Sequence, residues 1–189
     1  MSDDVSDHAA GPVPDVIVDD ARSPLPDVAP SADERTTLVE FLEYQRAVFL
    51  RKVEGLDDQQ ARLRVAASTI DLLGLTRHLV DVERWWFRGV FTEEVDHAVY
   101  EAPDDPDADW HHGPADTLAS ALAHWHAEVA RAREIVAATS DLGQLSSMTT
   151  QRRDKVSMRW ILVHMIEEYA RHLGHADFIR ESIDGTVDD

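Results

Sequence analysis

The chain has 189 residues, no cysteine and a formal net charge of −19 at pH 7. Without thiols it has no disulfide, no thiolate zinc site and no cysteine nucleophile of its own. Its acidity argues against DNA, RNA or anionic membranes as partners, because those surfaces are bound by clustered basic residues. No basic region followed by an apolar run opens the chain, and no stretch approaches the ~18 apolar residues of a membrane span. We therefore expect a cytoplasmic protein.

Residues 1–31 predict a disordered acidic tail. This segment contains five prolines and seven aspartates but only one arginine. Proline interrupts helices, and so polar a segment buries too little apolar surface to order itself. We expect the folded domain at residues 32–185 and a short second tail at 186–189.

The first predicted helix begins near Ser31 and ends at Gly55. Apolar residues recur in it at helical spacing, and Ser31 with Glu34 resembles a capping box at its start. Residues 57–63 predict a short helical turn after it.

The second predicted helix begins after Ser68 or Thr69 and ends at Gly89. Its leucines, valines and tryptophans follow one helical face. Residues 92–114 then predict a long acidic loop. A loop of this length in a small domain often carries function.

Two further helices complete the prediction. The third runs from about Ala115 to Ala138 with Asp116 as its cap, and the fourth runs from Ser157 to a stop at Gly185. A loop at 140–156 separates them. Four long amphipathic helices with long second and third connections predict an all-α four-helix bundle.

Four titratable side chains follow one strip of the fourth helix: His164, Glu168, His172 and His175. Their spacing of four, four and three residues places them on neighbouring turns of one face. On a wheel of ~100° per residue, Glu168 and His172 fall inside the apolar arc, whereas His164 and His175 fall at its edge. On the same kind of wheel, His78 of the second helix falls within the apolar arc and is expected to face the bundle interior.

Two histidines and a carboxylate on core-facing arcs predict a metal site formed by His78, Glu168 and His172. A divalent cation offsets the cost of burying the carboxylate and takes neutral imidazole nitrogens as further ligands. Three protein ligands leave coordination positions open, as in catalytic sites. The ordinary alternative for each histidine alone is a hydrogen-bonded core residue, and for the Glu168–His172 pair it is a surface contact.

Two stretches carry a resemblance to a known family. Residues 158–181, MRWILVHMIEEYARHLGHADFIRE, resemble the signature helix of the DinB-like superfamily, closest to its mycothiol-dependent, maleylpyruvate isomerase-like branch. Residues 75–87, LTRHLVDVERWWF, resemble the second helix of that branch. The resemblance implies a four-helix bundle and a metal triad of one histidine on helix two and two ligands four residues apart on helix four. In this chain the triad falls on His78, Glu168 and His172.

The resemblance also implies an activity. Relatives are S-transferases or isomerases that depend on a metal and on a low-molecular-weight thiol such as mycothiol, and this chain would take that thiol from outside. A bound cation stabilises thiolate over thiol. We expect zinc, and nickel, iron or manganese also suit histidine and carboxylate ligands. His164 and His175 are then the candidate catalytic residues, as partners of the ligands or as proton carriers.

Two other functions stay open on the sequence alone. A non-catalytic metal-binding module, acting in a stress response or in partner binding, would close the metal site with His164 or His175 as fourth ligand. A metal-bound water would instead support hydrolysis. The expected partners are a small-molecule thiol and an electrophilic substrate, and a homodimer is compatible with the sequence.

Overall fold

The described part of the chain is built from helices. A computed structural model describes residues 23–65, 69–95, 97–105, 107–150 and 154–187. Its elements are α1 Glu34–Val53, α2 Asp58–Ala61, α3 Leu72–Glu83, a π-helical segment Arg84–Phe91 that continues α3, α4 Leu118–Ala138 and α5 Met158–Asp184. Only isolated β-bridges, and no strand, occur in these ranges. The all-α prediction is confirmed.

One apolar core joins the four long helices. α1 packs mainly against α5 and α3 against α4, and α3 also contacts α5. Phe49, Leu79, Trp125 and Met165, one from each long helix, are at most 1% exposed. None of the helices in the described ranges combines the length and apolarity needed to cross a bilayer.

A buried hydrogen-bond network also links these helices. Trp125 Nε1 donates to the Tyr169 hydroxyl at 2.8 Å, and that hydroxyl donates to Glu83 Oε1 at 2.8 Å. Arg46 donates to both carboxylate oxygens of Glu83, at 2.8 and 2.6 Å. Burial, and next the Glu83 charge, raises the pKa of Tyr169, so its hydroxyl keeps its proton. Tyr169 follows Glu168 directly in α5, so the network fixes the rotation of this helix next to Glu168.

Three predicted helix starts are wrong by a few residues, and one of them is that of α3, which Asp71 caps two residues after Thr69. Asp33, not Ser31, caps α1 by accepting a hydrogen bond from the backbone of Thr36. Thr117 caps α4. Asp116, the predicted cap, pairs instead with Arg77 at 2.9 Å. Neighbouring Asp, Ser and Thr residues all suit a cap, and tertiary contacts select one of them.

The predicted stop at Gly89 is also wrong. The helix changes from α to π at Arg84 and continues through Phe91. Gly89 lies inside the π segment, where a Cβ would stand 3.0 Å from the indole of Trp85. This glycine therefore provides room for an aromatic ring. At the end of α5 the prediction is confirmed, since Gly185 forms a left-handed C-cap at φ 75°.

Part of the predicted N-terminal tail is described and contacts α1. Residues 23–31 are neither helix nor strand. The backbone of Ser23 donates to Glu54, and the backbone of Ala29 donates to Glu40 at 2.8 Å. The remaining parts of the two predicted tails, 1–22 and 188–189, lie outside the described residues.

Candidate metal centre

His78, Glu168 and His172 meet between α3 and α5. One ligand atom from each residue lies within 4.8 Å of the other two. Nε2 of His172 is 3.4 Å from a carboxylate oxygen of Glu168, and the ring centroids of the two histidines are 4.7 Å apart. Two helical wheels and the family resemblance selected these three residues, and the fold brings them together.

The cluster opens to solvent on the α3 side. Every residue from Asp71 to Asp81 is buried except His78, whose side chain is 21% exposed. Glu168 and His172 are 16% and 12% exposed. His78 is thus partly exposed within an otherwise buried stretch of α3, and it is there that the cluster reaches solvent.

Asp109 holds the ring of His78 through a hydrogen bond. Its Oδ2 accepts a hydrogen bond from His78 Nδ1 at 2.7 Å, and the residue is only 1% exposed. A carboxylate accepts hydrogen bonds, so Nδ1 donates, and in a neutral imidazole Nε2 then keeps its lone pair for a ligand. Such carboxylate–histidine pairs orient metal-binding histidines. The sequence did not reveal Asp109, because it belongs to an acidic loop without helical period.

The state of His172 fits a metal ligand. Desolvation, and then the positive charge that His78 and His175 would carry, lowers the pKa of His172 to about 4, so its imidazole is neutral at pH 7. Its Nδ1 is buried and accepts or donates no hydrogen bond within the described ranges. A buried polar atom without a partner is costly unless something else binds there. A divalent cation bound at Nδ1 would give this atom a partner, with His78 and Glu168 as its other ligands.

The long loop after the π segment is fixed to α3 at several points. Asp81 accepts hydrogen bonds from the backbone of Val99 at 2.6 Å and of Glu101 at 2.9 Å. Arg77 donates to the carbonyl of Ala108 at 2.7 Å. The loop that supplies Asp109 is therefore held in place by side chains on the helix that supplies His78.

The Trp110–His112 part of this loop has mixed roles. Trp110 stacks on His78 with ring centroids 4.9 Å apart and planes at 28°. His112 binds Asp71, the N-cap of α3, at 2.8 Å. His111 is exposed and pairs with Asp105. Of these three residues it is Trp110 that covers one side of the cluster.

The two outer histidines differ in their surroundings. Nε2 of His164 lies 3.6 Å from Glu168 Oε1, and its ring contacts the indoles of Trp86 and Trp160. His175 is exposed, with its ring 5.9 Å from that of His172. His164 is thus the one that borders the interior of the site.

A second group of possible metal ligands lies next to the His78 cluster. His164, Glu167 and Glu168 also bring their ligand atoms within 4.8 Å of one another. All three are on α5, and Glu167 is paired with Arg171. This group lacks the ligands from two helices that distinguish the His78 cluster.

The chain matches the Mycothiol-S-transferase family over residues 37–185, a range that contains all three candidate ligands. The chain belongs to the mycothiol S-transferase family. The family is part of the DinB-like superfamily, so the resemblance found in the sequence is confirmed. Family membership implies a thiol cosubstrate. A comparison with curated proteins gave no match.

Proposed function

We propose that this mycothiol S-transferase family member is a divalent-metal-dependent enzyme that transfers mycothiol, or a similar thiol, to an electrophile. One observation carries the proposal: ligand atoms of three partly exposed residues, His78, Glu168 and His172, converge in a chain from this family. We propose zinc as the cation, because it suits two imidazoles and one carboxylate.

The ligand set supports a catalytic site over a closed structural one. The atoms that converge come from three residues, and neither His164 nor His175 belongs to that group among the described residues. Three protein ligands leave room for a substrate on the cation. The non-catalytic alternative needs a fourth protein ligand.

The side chains around the site have separable tasks. A cation bound there lowers the pKa of a bound thiol and so favours its thiolate form. Asp109 orients His78, and Trp110 shields the site from water on one side. His164 borders the opening next to Glu168 and is placed to touch a bound substrate. In the transfer the thiol sulfur gains a bond to carbon, its proton leaves, and the leaving group departs with its bonding electrons.

The experiment is a transfer assay with mycothiol and an aryl chloride such as 1-chloro-2,4-dinitrobenzene. Zinc-loaded protein should form the thioether and release chloride, and the His172→Ala variant should not. Aryl and alkyl esters and amides are tested in parallel, without thiol. Ester or amide cleavage without any thioether product would overturn the proposal in favour of hydrolysis.

A further inference from the structure

A cleft of about 770 Å³ is lined by His164, whose Nε2 lies 3.6 Å from Glu168 Oε1 of the candidate metal centre. Its walls include the indoles of Trp85, Trp86 and Trp160, and the ring of His164 forms part of its lining. Trp160 is 44% exposed although it is large and apolar. Its ring lies parallel to that of His164, with centroids 4.9 Å apart and an interplanar angle of 21°. Three tryptophan side chains therefore contribute aromatic surface to the walls of the cleft.

The cleft leads to the ligands along α5. Trp160, His164 and Glu168 follow one another at four-residue spacing, each step rising ~6 Å along the helix. A molecule that lies over Trp160 and reaches Glu168 must span ~12 Å. The cleft volume is in the usual range for a small-molecule site. An occupant that uses both the cleft and the cluster must therefore be an elongated small molecule.

The charges of the cleft favour a neutral occupant. Asp154 and Lys155 both line it, so their charges oppose each other. The first backbone N–H groups of α5 are already engaged: Met158 donates to the carbonyl of Gln144, Arg159 to that of Leu142 and Trp160 to the Ser157 hydroxyl. Few backbone donors are left to bind a phosphate or another anion.

Indole rings and polar side chains line the same cleft, and together they suit a polyol ligand. The C–H faces of a sugar ring stack on aromatic rings, and its hydroxyl groups both donate and accept hydrogen bonds. Thr150, Asp154 and Lys155 supply acceptors and donors at the cleft. An uncharged sugar-like body matches this lining better than a purely aromatic or an anionic one.

We infer that the cleft bounded by Trp85, Trp86, Trp160 and His164 binds the glucosamine–inositol part of mycothiol and directs its cysteine thiol toward Glu168. This inference rests on the proposed function, because it assigns the thiol substrate of that same site. It makes Trp160 a specificity-determining residue for the thiol.

The first test compares two thiols. N-acetylcysteine has the reactive part of mycothiol but lacks the sugar and the inositol. Trp160→Ala should raise the KM for mycothiol by about tenfold, as loss of one well-packed aromatic contact does, and leave the KM for N-acetylcysteine and the bound metal unchanged. Phe178→Ala, which removes a 70% exposed aromatic ring from the same helix, is the matched control and should change neither KM. Equal effects of Trp160→Ala on both thiols would overturn the inference.

The second test needs no catalysis. Calorimetric titration of zinc-loaded protein with thiol-free N-acetylglucosaminyl-inositol, whose acylated nitrogen is uncharged, should show binding that Trp160→Ala weakens and Phe178→Ala preserves. Such binding supports the inference even when no thioether forms. Binding without thioether formation would contradict only the proposed transfer reaction. Absence of binding to the wild-type protein, or equal binding by Trp160→Ala, would contradict the inference whatever the activity.

Discussion

His78 has two ring nitrogens with different surroundings. Nδ1 faces the buried carboxylate of Asp109, and this bond leaves Nε2 for the opening between α3 and α5. Asp109 also accepts the backbone N–H of Trp110 at 3.0 Å, which ties the stacking indole to the same carboxylate. One aspartate thus fixes both the ligand and the ring that covers it.

Asp109→Asn should weaken metal binding by roughly 10–100-fold, because the amide holds the required tautomer of His78 less well than the carboxylate does. Competition with a chromogenic chelator measures this affinity. Asp105→Asn is the control, since Asp105 is in the same loop but binds the exposed His111 at 2.9 Å and the backbone of Asp107 at 3.3 Å rather than a candidate ligand. Unchanged affinity in Asp109→Asn would show that this carboxylate does not support a ligand.

At the scale of single residues, the sequence predicted which three side chains converge, but not the residues that hold them in place. The triad lies on two helices, where the 3.6-residue period reports which side chains face inward. Asp109 and Trp110 are in a loop, which has no period, and their positions depend on contacts with Asp81 and Arg77. Nothing local distinguishes Asp109 from the exposed acidic residues around it.

At the scale of secondary-structure elements, some features were predicted from the sequence and others were not. Hydrophobic period predicted four long helices, and Gly185 correctly predicted the end of α5. The π segment was not predicted, because the change of hydrogen-bond pattern at Arg84 depends on packing. Its consequence is local: Gly89 makes room for Trp85, which lines the cleft.

Two glycine substitutions should therefore have opposite effects. Gly89→Ala places a Cβ 3.0 Å from the Trp85 ring and should lower the free energy of unfolding by roughly 1–3 kcal/mol through overpacking. Gly174→Ala meets nothing within 4 Å in the middle of α5 and should raise that free energy by about 0.5–1 kcal/mol. Urea unfolding monitored by circular dichroism measures both. Destabilisation by Gly174→Ala would refute the helix assignment at that position.

Tyr169→Phe tests the buried network between the helices. The variant leaves the Trp125 indole N–H and one Glu83 oxygen without the tyrosine hydroxyl, so unfolding should become about 1–3 kcal/mol easier. Tyr100→Phe loses a more exposed bond to His124 and should cost below about 1 kcal/mol. Equal costs for the two variants would mean that the network adds nothing to the ordinary effect of a lost hydroxyl.

On the scale of the whole molecule, the bundle and the metal site are coupled. The ligands come from α3 and α5, so a cation that binds only the folded chain stabilises the contact between these helices. Zinc at 100 times its dissociation constant should raise the free energy of unfolding by about 2.7 kcal/mol. Urea titrations with and without zinc measure the difference, and His78→Ala should abolish it. Zinc stabilisation that persists in His78→Ala would place the cation elsewhere.

The central claim is that His78, Glu168 and His172 hold one divalent cation. Elemental analysis of protein purified without chelator, beside His78→Ala and His172→Ala, tests it most directly. We predict close to one equivalent of metal per wild-type chain and loss of that metal in both variants, with helical content preserved. A metal-free wild-type protein that also fails to take up added zinc, or variants that keep a full equivalent, would contradict the claim.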